Sequence, residues 1–169
     1  MSRVEYRMIG IGYDIHRLVP DRKLYLGGIR IDYPKGLLGH SDGDVLIHAI
    51  CDAALGAANL GDIGMHFPTT DNTYTNMPSI KILRSVKKYL EDSGLLVRQL
   101  DSVVIAEEPK ILPHIKDMKT AIASALGISE DFVSIKGKTN EGIGEIGAGE
   151  AIAAWAVCEV DRIYATPER

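Results

Sequence analysis

Apolar and polar positions along the chain fall into runs that switch between two spacings, and the switches outline the elements. The pattern predicts a strand from Val4 to Tyr13 carrying Gly10 and Gly12. A hairpin follows from Leu24 to Tyr33, turning at Gly27-Gly28. The polar loop Gly39-His40-Ser41-Asp42-Gly43-Asp44 feeds an alanine-rich helix from Val45 to Asn59, for which Ser41 or Asp42 is the expected N-cap. Beyond a polar loop from Asp62 to Met77, Ile80, Leu83, Val86 and Leu90 recur at helical spacing and predict a helix over Ser79 to Ser93, stopped by Gly94. Arg98 to Glu107 reads as a strand centred on Val103-Val104-Ile105. Pro113 to Leu126 reads as a helix with proline in its first turn and Gly127 at its end. Phe132 to Lys136 is a short strand and Gly137 to Gly149 a glycine-rich loop. Ala151 to Tyr164 reads as a long apolar strand, with a helix as its rival because alanine is frequent there. Helices alternating with strands predict an α/β fold, one sheet with helices packed on it. No repeat or linker interrupts the pattern, so a single domain over 1–169 is expected, with its core at about 8–160.

Composition narrows the class of partner. The 169 residues are 46% hydrophobic and 25% charged, enough to bury a real core. Net charge is -4 and the nineteen basic residues are scattered, which argues against a nucleic-acid groove or a polybasic membrane anchor. A small phosphorylated substrate stays compatible, because a few lysines and a metal can hold one. No apolar run reaches the length of a membrane span, and Met1-Ser2-Arg3-Val4-Glu5-Tyr6 lacks the form of a secretory signal. The expected location is the cytoplasm, or a plastid-type organelle if a transit peptide has been trimmed. Cys51 and Cys158 each sit alone in an apolar segment and read as buried free thiols.

Candidate chemistry lies in four places. Asp14 and His16 are two apart at the end of a predicted strand, so both can reach one point on the same face. His48 lies in the first helix with Asp44 and Asp52 a turn to either side. One carboxylate and two imidazoles form a zinc set that leaves a fourth position open, and Asp52 is placed to orient His48 through its other ring nitrogen. Two surface histidines with helix-capping aspartates would have the same spacing, and spacing alone does not choose. His40 and Ser41 precede a helix N-terminus, where an anion is favoured, although a capped loop with an incidental histidine fits equally. In Gly137-Lys138-Thr139-Asn140-Glu141, Lys138 and Thr139 suit phosphate oxygens and Glu141 suits a magnesium ion that keeps several waters. A plain polar turn after a strand is the alternative. Glu107 to His114, with two prolines, reads as a rigid strand-to-helix corner.

Taken in order, Gly12-Tyr13-Asp14-Ile15-His16, the run from Gly39 to Asp44 continuing to Gly61-Asp62-Ile63-Gly64, Ala106 to His114 and the Lys138-Thr139-Asn140-Glu141 loop closely resemble the 2-C-methyl-D-erythritol 2,4-cyclodiphosphate synthase family, over roughly Met8 to Val160. The resemblance implies a ferredoxin-like α/β sandwich, an α+β arrangement, assembled as a homotrimer with active sites shared between neighbouring subunits. It implies zinc on Asp14, His16 and His48, and magnesium or manganese on Glu141. His40 and Thr139 match the pair that stabilises the transition state, with Ser41 beside the substrate. Asp62, Ile63 and Gly64, then Phe67 to Asp71, match the loops around the methylerythritol part. Ala106 to Leu112, including Lys110 and Ile111, match the pocket for the cytidine end of a cytidine diphosphate substrate. The implied reaction releases CMP and closes a cyclic diphosphate, in non-mevalonate isoprenoid precursor synthesis. A metal-dependent phosphohydrolase and a non-catalytic isoprenoid-diphosphate sensor are the rival readings.

Three positions depart from the family pattern. Thr69 stands where an aspartate is usual and removes one acceptor for substrate hydroxyls. Lys138 replaces a common threonine and adds a cation near the diphosphate. Gly147-Ala148-Gly149 lacks an arginine often found there, which puts in doubt an anion site on the trimer axis. None of the three touches the implied metal ligands.

Overall fold

In the computed structural model, residues 7–68, 70–71 and 77–163 are described. Seven strands and five helices appear among them: β1 (Met8–Pro20), β2 (Leu24–Leu26), β3 (Ile29–Ile31), β4 (Lys35–Leu37), α1 (Val45–Ala57), α2 (Ile63–His66), α3 (Ser79–Asp92), β5 (Leu95–Ile105), α4 (Ile115–Leu126), β6 (Val133–Lys138), α5 (Gly144–Gly147) and β7 (Ala151–Arg162). Five strands form one mixed sheet in the order β4-β1-β7-β5-β6, and β2 and β3 form a separate hairpin. β7 runs antiparallel to both β1 and β5, while β5 and β6 are parallel and joined through α4. With β7 inserted between β1 and β5, the connection through α1 and α3 is a split βαβ unit, the ferredoxin-like feature.

The long final strand is decided by its pairing. Residues from Ala151 to Val160 register one by one against Arg17 to Met8, and on the other edge the same strand pairs with β5. Alanine is frequent there because Ala154 and Ala156 lie under a helix that approaches closely. Gly10 and Gly12 sit opposite, where an added Cβ would lie 2.0 Å from the carbonyl oxygens of Ala53 and Ala49. Only glycine lets α1 settle this near to β1. The helix meets the sheet through Ala49, Ala53 and Ala57, one turn apart along one face.

Several boundaries differ from the sequence expectation. β1 continues past Tyr13 to Pro20, which puts Asp14 and His16 in mid-strand rather than at its end. Its predicted start at Val4 lies outside the described residues. β4 is added by pairing with Leu18, Val19 and Pro20, although three residues around Gly36 carry no readable period. α1 is capped by Asp44 and not by Ser41 or Asp42. The Asp44 carboxylate accepts from Ile47 N–H and also from Gly27 and Gly28 N–H, so one buried group caps the helix and locks the hairpin turn. α4 begins at Ile115 after a 3₁₀ turn at Leu112–His114, with proline in that turn. Phe132 ends another 3₁₀ turn instead of starting β6. α2 and α5 are single helical turns inside segments expected to be loops.

The helices cover one side of the sheet, where Ile152, Ala154, Ala156, Cys158 and Val160 of β7 are buried with Leu100 and Val104 of β5. On the other side Ile9 and Ile11 are 66% and 65% exposed, and Tyr13, Ile15, Trp155 and Val157 are exposed beside them. Tyr13 and Trp155 face each other in register, ring centroids 4.5 Å apart. Among the described residues no helix is long and apolar enough to cross a membrane.

Candidate metal centre and adjoining hollows

Because side chains alternate along β1, Asp14 and His16 point to the same side as Gly10 and Gly12, toward α1. The close seating of α1 on those glycines brings His48 down to them. Asp14 Oδ2 lies 2.9 Å from His16 Nε2 and 2.9 Å from His48 Nδ1, and the two nitrogens are 3.3 Å apart. A tetrahedral zinc-type site, with bonds of about 2.0–2.1 Å, sets its ligand atoms about 3.3 Å apart. One carboxylate oxygen and two imidazole nitrogens in that triangle fit a divalent metal. Among the described residues this is the one group of three or more such side chains so arranged.

The same packing explains the charges. Burial alone would raise the Asp14 carboxyl, but the hydrogen bonds and charges of His16 and His48 outweigh it and hold the group well below the usual carboxylate range. Burial opposes protonation of His16, yet the hydrogen bond and charge of Asp14 win and raise it above its ordinary value. Asp52 does not orient His48, contrary to the sequence expectation. It accepts from Ile63 N–H at 2.8 Å, because its position one turn along α1 faces the start of α2. The second ring nitrogen of His48 meets hydroxyls instead: Ser41 Oγ and Ser79 Oγ each lie 3.0 Å from Nε2.

Two hollows take up residues expected at the site, and one of them lies beside these groups. His16, His40, Ser41, His48, Ile63, Gly64, Phe67 and Ile82 line the first, so His40, Ser41, Ile63, Gly64 and Phe67 share a hollow with two members of the triangle. Asp62 does not line it and is the N-cap of α2, accepting from Met65 N–H at 2.9 Å. Asp71 follows a turn closed by its own N–H on Pro68 O, and Thr69 lies outside the described residues. Ala106, Lys110, Ile111, Leu112, Gly137, Lys138 and Thr139 line the second hollow. The two hollows share no residue. Glu141, exposed and with a positive φ of 51°, accepts from Thr139 Oγ at 2.9 Å.

Sequence reasoning missed three side chains here. Ser79 and Asp42 support His48 from a helix start 37 residues away from the loop, a contact that no local spacing carries. Glu107, read only as part of a rigid corner, accepts from Asn140 N–H at 2.8 Å and Gly142 N–H at 3.1 Å. It therefore shapes the loop that bears Thr139 and Glu141.

Residues 7–161 match the YgbB family. The chain belongs to that family. A relative named 2-C-methyl-D-erythritol 2,4-cyclodiphosphate synthase, from Lachnospira eligens, is 50% identical over 155 residues, covering 92% of this chain and 85% of the relative. Among solved structures, IspF of Plasmodium falciparum in its CDP complex superposes with a TM-score of 0.83 at 34% identity, over 96% of this chain and 100% of that one. The bifunctional IspDF of Campylobacter jejuni gives a TM-score of 0.90 at 35% identity over 94% of this chain, which spans 43% of that longer one.

Proposed function

We propose that this YgbB-family chain acts as a 2-C-methyl-D-erythritol 2,4-cyclodiphosphate synthase, turning 4-diphosphocytidyl-2-C-methyl-D-erythritol 2-phosphate into the cyclic diphosphate and CMP. The observation that carries this reading is the triangle of Asp14, His16 and His48 donor atoms at the wall of a hollow shared with His40 and Ser41. In the reaction an oxygen of the 2-phosphate bonds to the β-phosphorus as the bond to CMP breaks. The substrate carries its own nucleophile, so no side chain need supply one.

The difficulty is an anion approaching an anion. Two unit charges about 4 Å apart repel by ~4 kcal/mol at an effective dielectric of ~20. Asp14, His16 and His48 would hold a zinc ion and Glu141 magnesium or manganese, and the positive charge of these ions would offset this repulsion. His40 and Thr139 donate to phosphate oxygens as charge moves, and Lys138 adds a fixed cation. The segment 106–112 grips the cytidine end, while Asp62, Ile63, Gly64, Phe67 and Asp71 enclose the methylerythritol part. Holding both ends brings the reacting groups into line, a gain on the order of 7–11 kcal/mol in well-oriented intramolecular reactions.

The functional unit in this reading is a homotrimer, in the cytoplasm, whose single-domain subunits complete each other's sites. Two features support it: the exposed apolar outer face of the sheet, of the kind that marks interaction sites, and the division of the expected site residues between two hollows that share no lining residue. The deciding experiment is a CMP-release assay with zinc quantified in the same sample. CMP together with a cyclic diphosphate is the expected result. Free phosphate or an open-chain product would replace this reading with a phosphohydrolase.

A further inference from the structure

We infer that Asp52 is a positioning residue, whose reach sets the distance between the metal triangle and the α2 wall of the hollow beside it. The inference rests on the synthase reading, in which Ile63 and Gly64 of that wall hold the methylerythritol part. α2 is a single turn of four residues, too short to be stable by itself. Its first N–H groups have no partner within the turn and must be met from elsewhere. Asp62 meets Met65 N–H at 2.9 Å, and His66 donates from Nε2 to Leu60 O at 2.8 Å. Both bonds stay inside the segment 60–67, so they give it shape without locating it. The His66 ring stacks on Tyr89 of α3, centroids 4.9 Å apart, which holds the far end of the turn.

The near end is located by α1. Asp52 Oδ1 accepts from Ile63 N–H, the first of the turn, at 2.8 Å. Asp52 follows His48 by four residues in α1, so the two side chains leave the same face of one helix. His48 reaches Asp14 while Asp52 reaches α2. His48, Ile63 and Gly64 line one hollow, and Asp52 does not. The span from the triangle to the wall is therefore one helical turn plus one aspartate arm. Asp52 acts through Ile63 and Gly64, and the length of that arm is what matters, not its charge.

Two substitutions separate length from charge. Asp52→Asn keeps the arm and an acceptor oxygen but drops the charge, and kcat/KM for CMP release is expected to stay within about fivefold of the parent. Asp52→Glu keeps the charge but adds a methylene, which displaces Ile63 and Gly64 by roughly 1 Å; kcat/KM is expected to fall about 10–100-fold. Zinc bound per chain should equal the parent's in both. Amide exchange at Ile63, read without turnover, should stay slow in Asp52→Asn and speed up in Asp52→Ala. An Asp52→Asn protein as impaired as Asp52→Glu would make charge the requirement and overturn the inference. Parental activity in Asp52→Glu, or unchanged Ile63 exchange in Asp52→Ala, would overturn it too. Zinc loss in Asp52→Asn would assign Asp52 to the metal site instead. A parent that releases no CMP removes the synthase reading, and the exchange measurement then decides the tie between α1 and α2 alone.

Discussion

Protons and a metal compete for the same atoms at the Asp14, His16 and His48 triangle. Asp14 is held ionised far into acid, so it offers its oxygen at any working pH. His16 is the vulnerable member, because its contact with Asp14 raises it above 6.5 and keeps the proton on the ring longer than usual. A cation must displace that proton, so affinity weakens as pH falls, beginning above 6.5. Zinc competition titrations between pH 8 and pH 6 are expected to show this loss; equal affinity at both ends would contradict the coupling of His16 to Asp14. A second prediction at this scale concerns Glu107, whose carboxylate accepts from the backbone N–H groups of Asn140 and Gly142 in the loop that bears Thr139 and Glu141. Glu107→Ala should lower kcat by about tenfold or more, since hydrogen bonds to a charged acceptor contribute about 1.5–3 kcal/mol each. Glu107→Gln keeps an acceptor oxygen and should recover most of that. Amide exchange at Asn140 and Gly142 reads the same effect without turnover.

Among the elements, the seating of α1 on β1 sets the site's dimensions. Gly12→Ala would place a Cβ 2.0 Å from Ala49 O, next to His48. Strain of this kind costs about 1–3 kcal/mol. We expect a lower urea midpoint together with weaker zinc binding. Gly10→Ala meets Ala53 O at the same distance but one turn further from His48. It should lower stability similarly and affect zinc less; a larger zinc loss in Gly10→Ala would sink this account. The strongly periodic elements, α3 and the hairpin at Gly27-Gly28 among them, were legible in the sequence because a two- or four-residue rhythm runs through them. The extension of β1 was not, since polar Asp14, His16 and Arg17 follow Tyr13 and within 14–17 only Ile15 keeps the apolar rhythm. Asp14 and His16 were readable as a pair by their spacing. Their meeting with His48 was not, because it depends on how closely a helix lies on two glycines. That partner entered through the order of motifs along the chain. The support from Ser79 and Asp42 had no signal at all, since Asp42 looks locally like a cap for the helix that follows it.

For the whole molecule the question is what covers the outer face of the sheet. Ile9, Ile11, Tyr13, Ile15, Trp155 and Val157 form one exposed apolar field across β1 and β7, while helices cover the reverse side. The homotrimer reading requires that field to be buried between copies. Trp155→Asp puts an unpaired charge in its middle, and light scattering should then find species smaller than a trimer, with turnover lost in parallel. A variant that keeps both its mass and its activity would place subunit contacts elsewhere.

The insertion of β7 beside β1 also has a temporal side. The strand that carries Asp14 and His16 finds its long partner among the last residues described, so a nascent chain paused on the ribosome before Ala151 leaves that strand with only the three-residue β4 for company. A chain that lacks β7 therefore lacks the long pairing that holds Asp14 and His16 in place, and a site built on them waits for that strand.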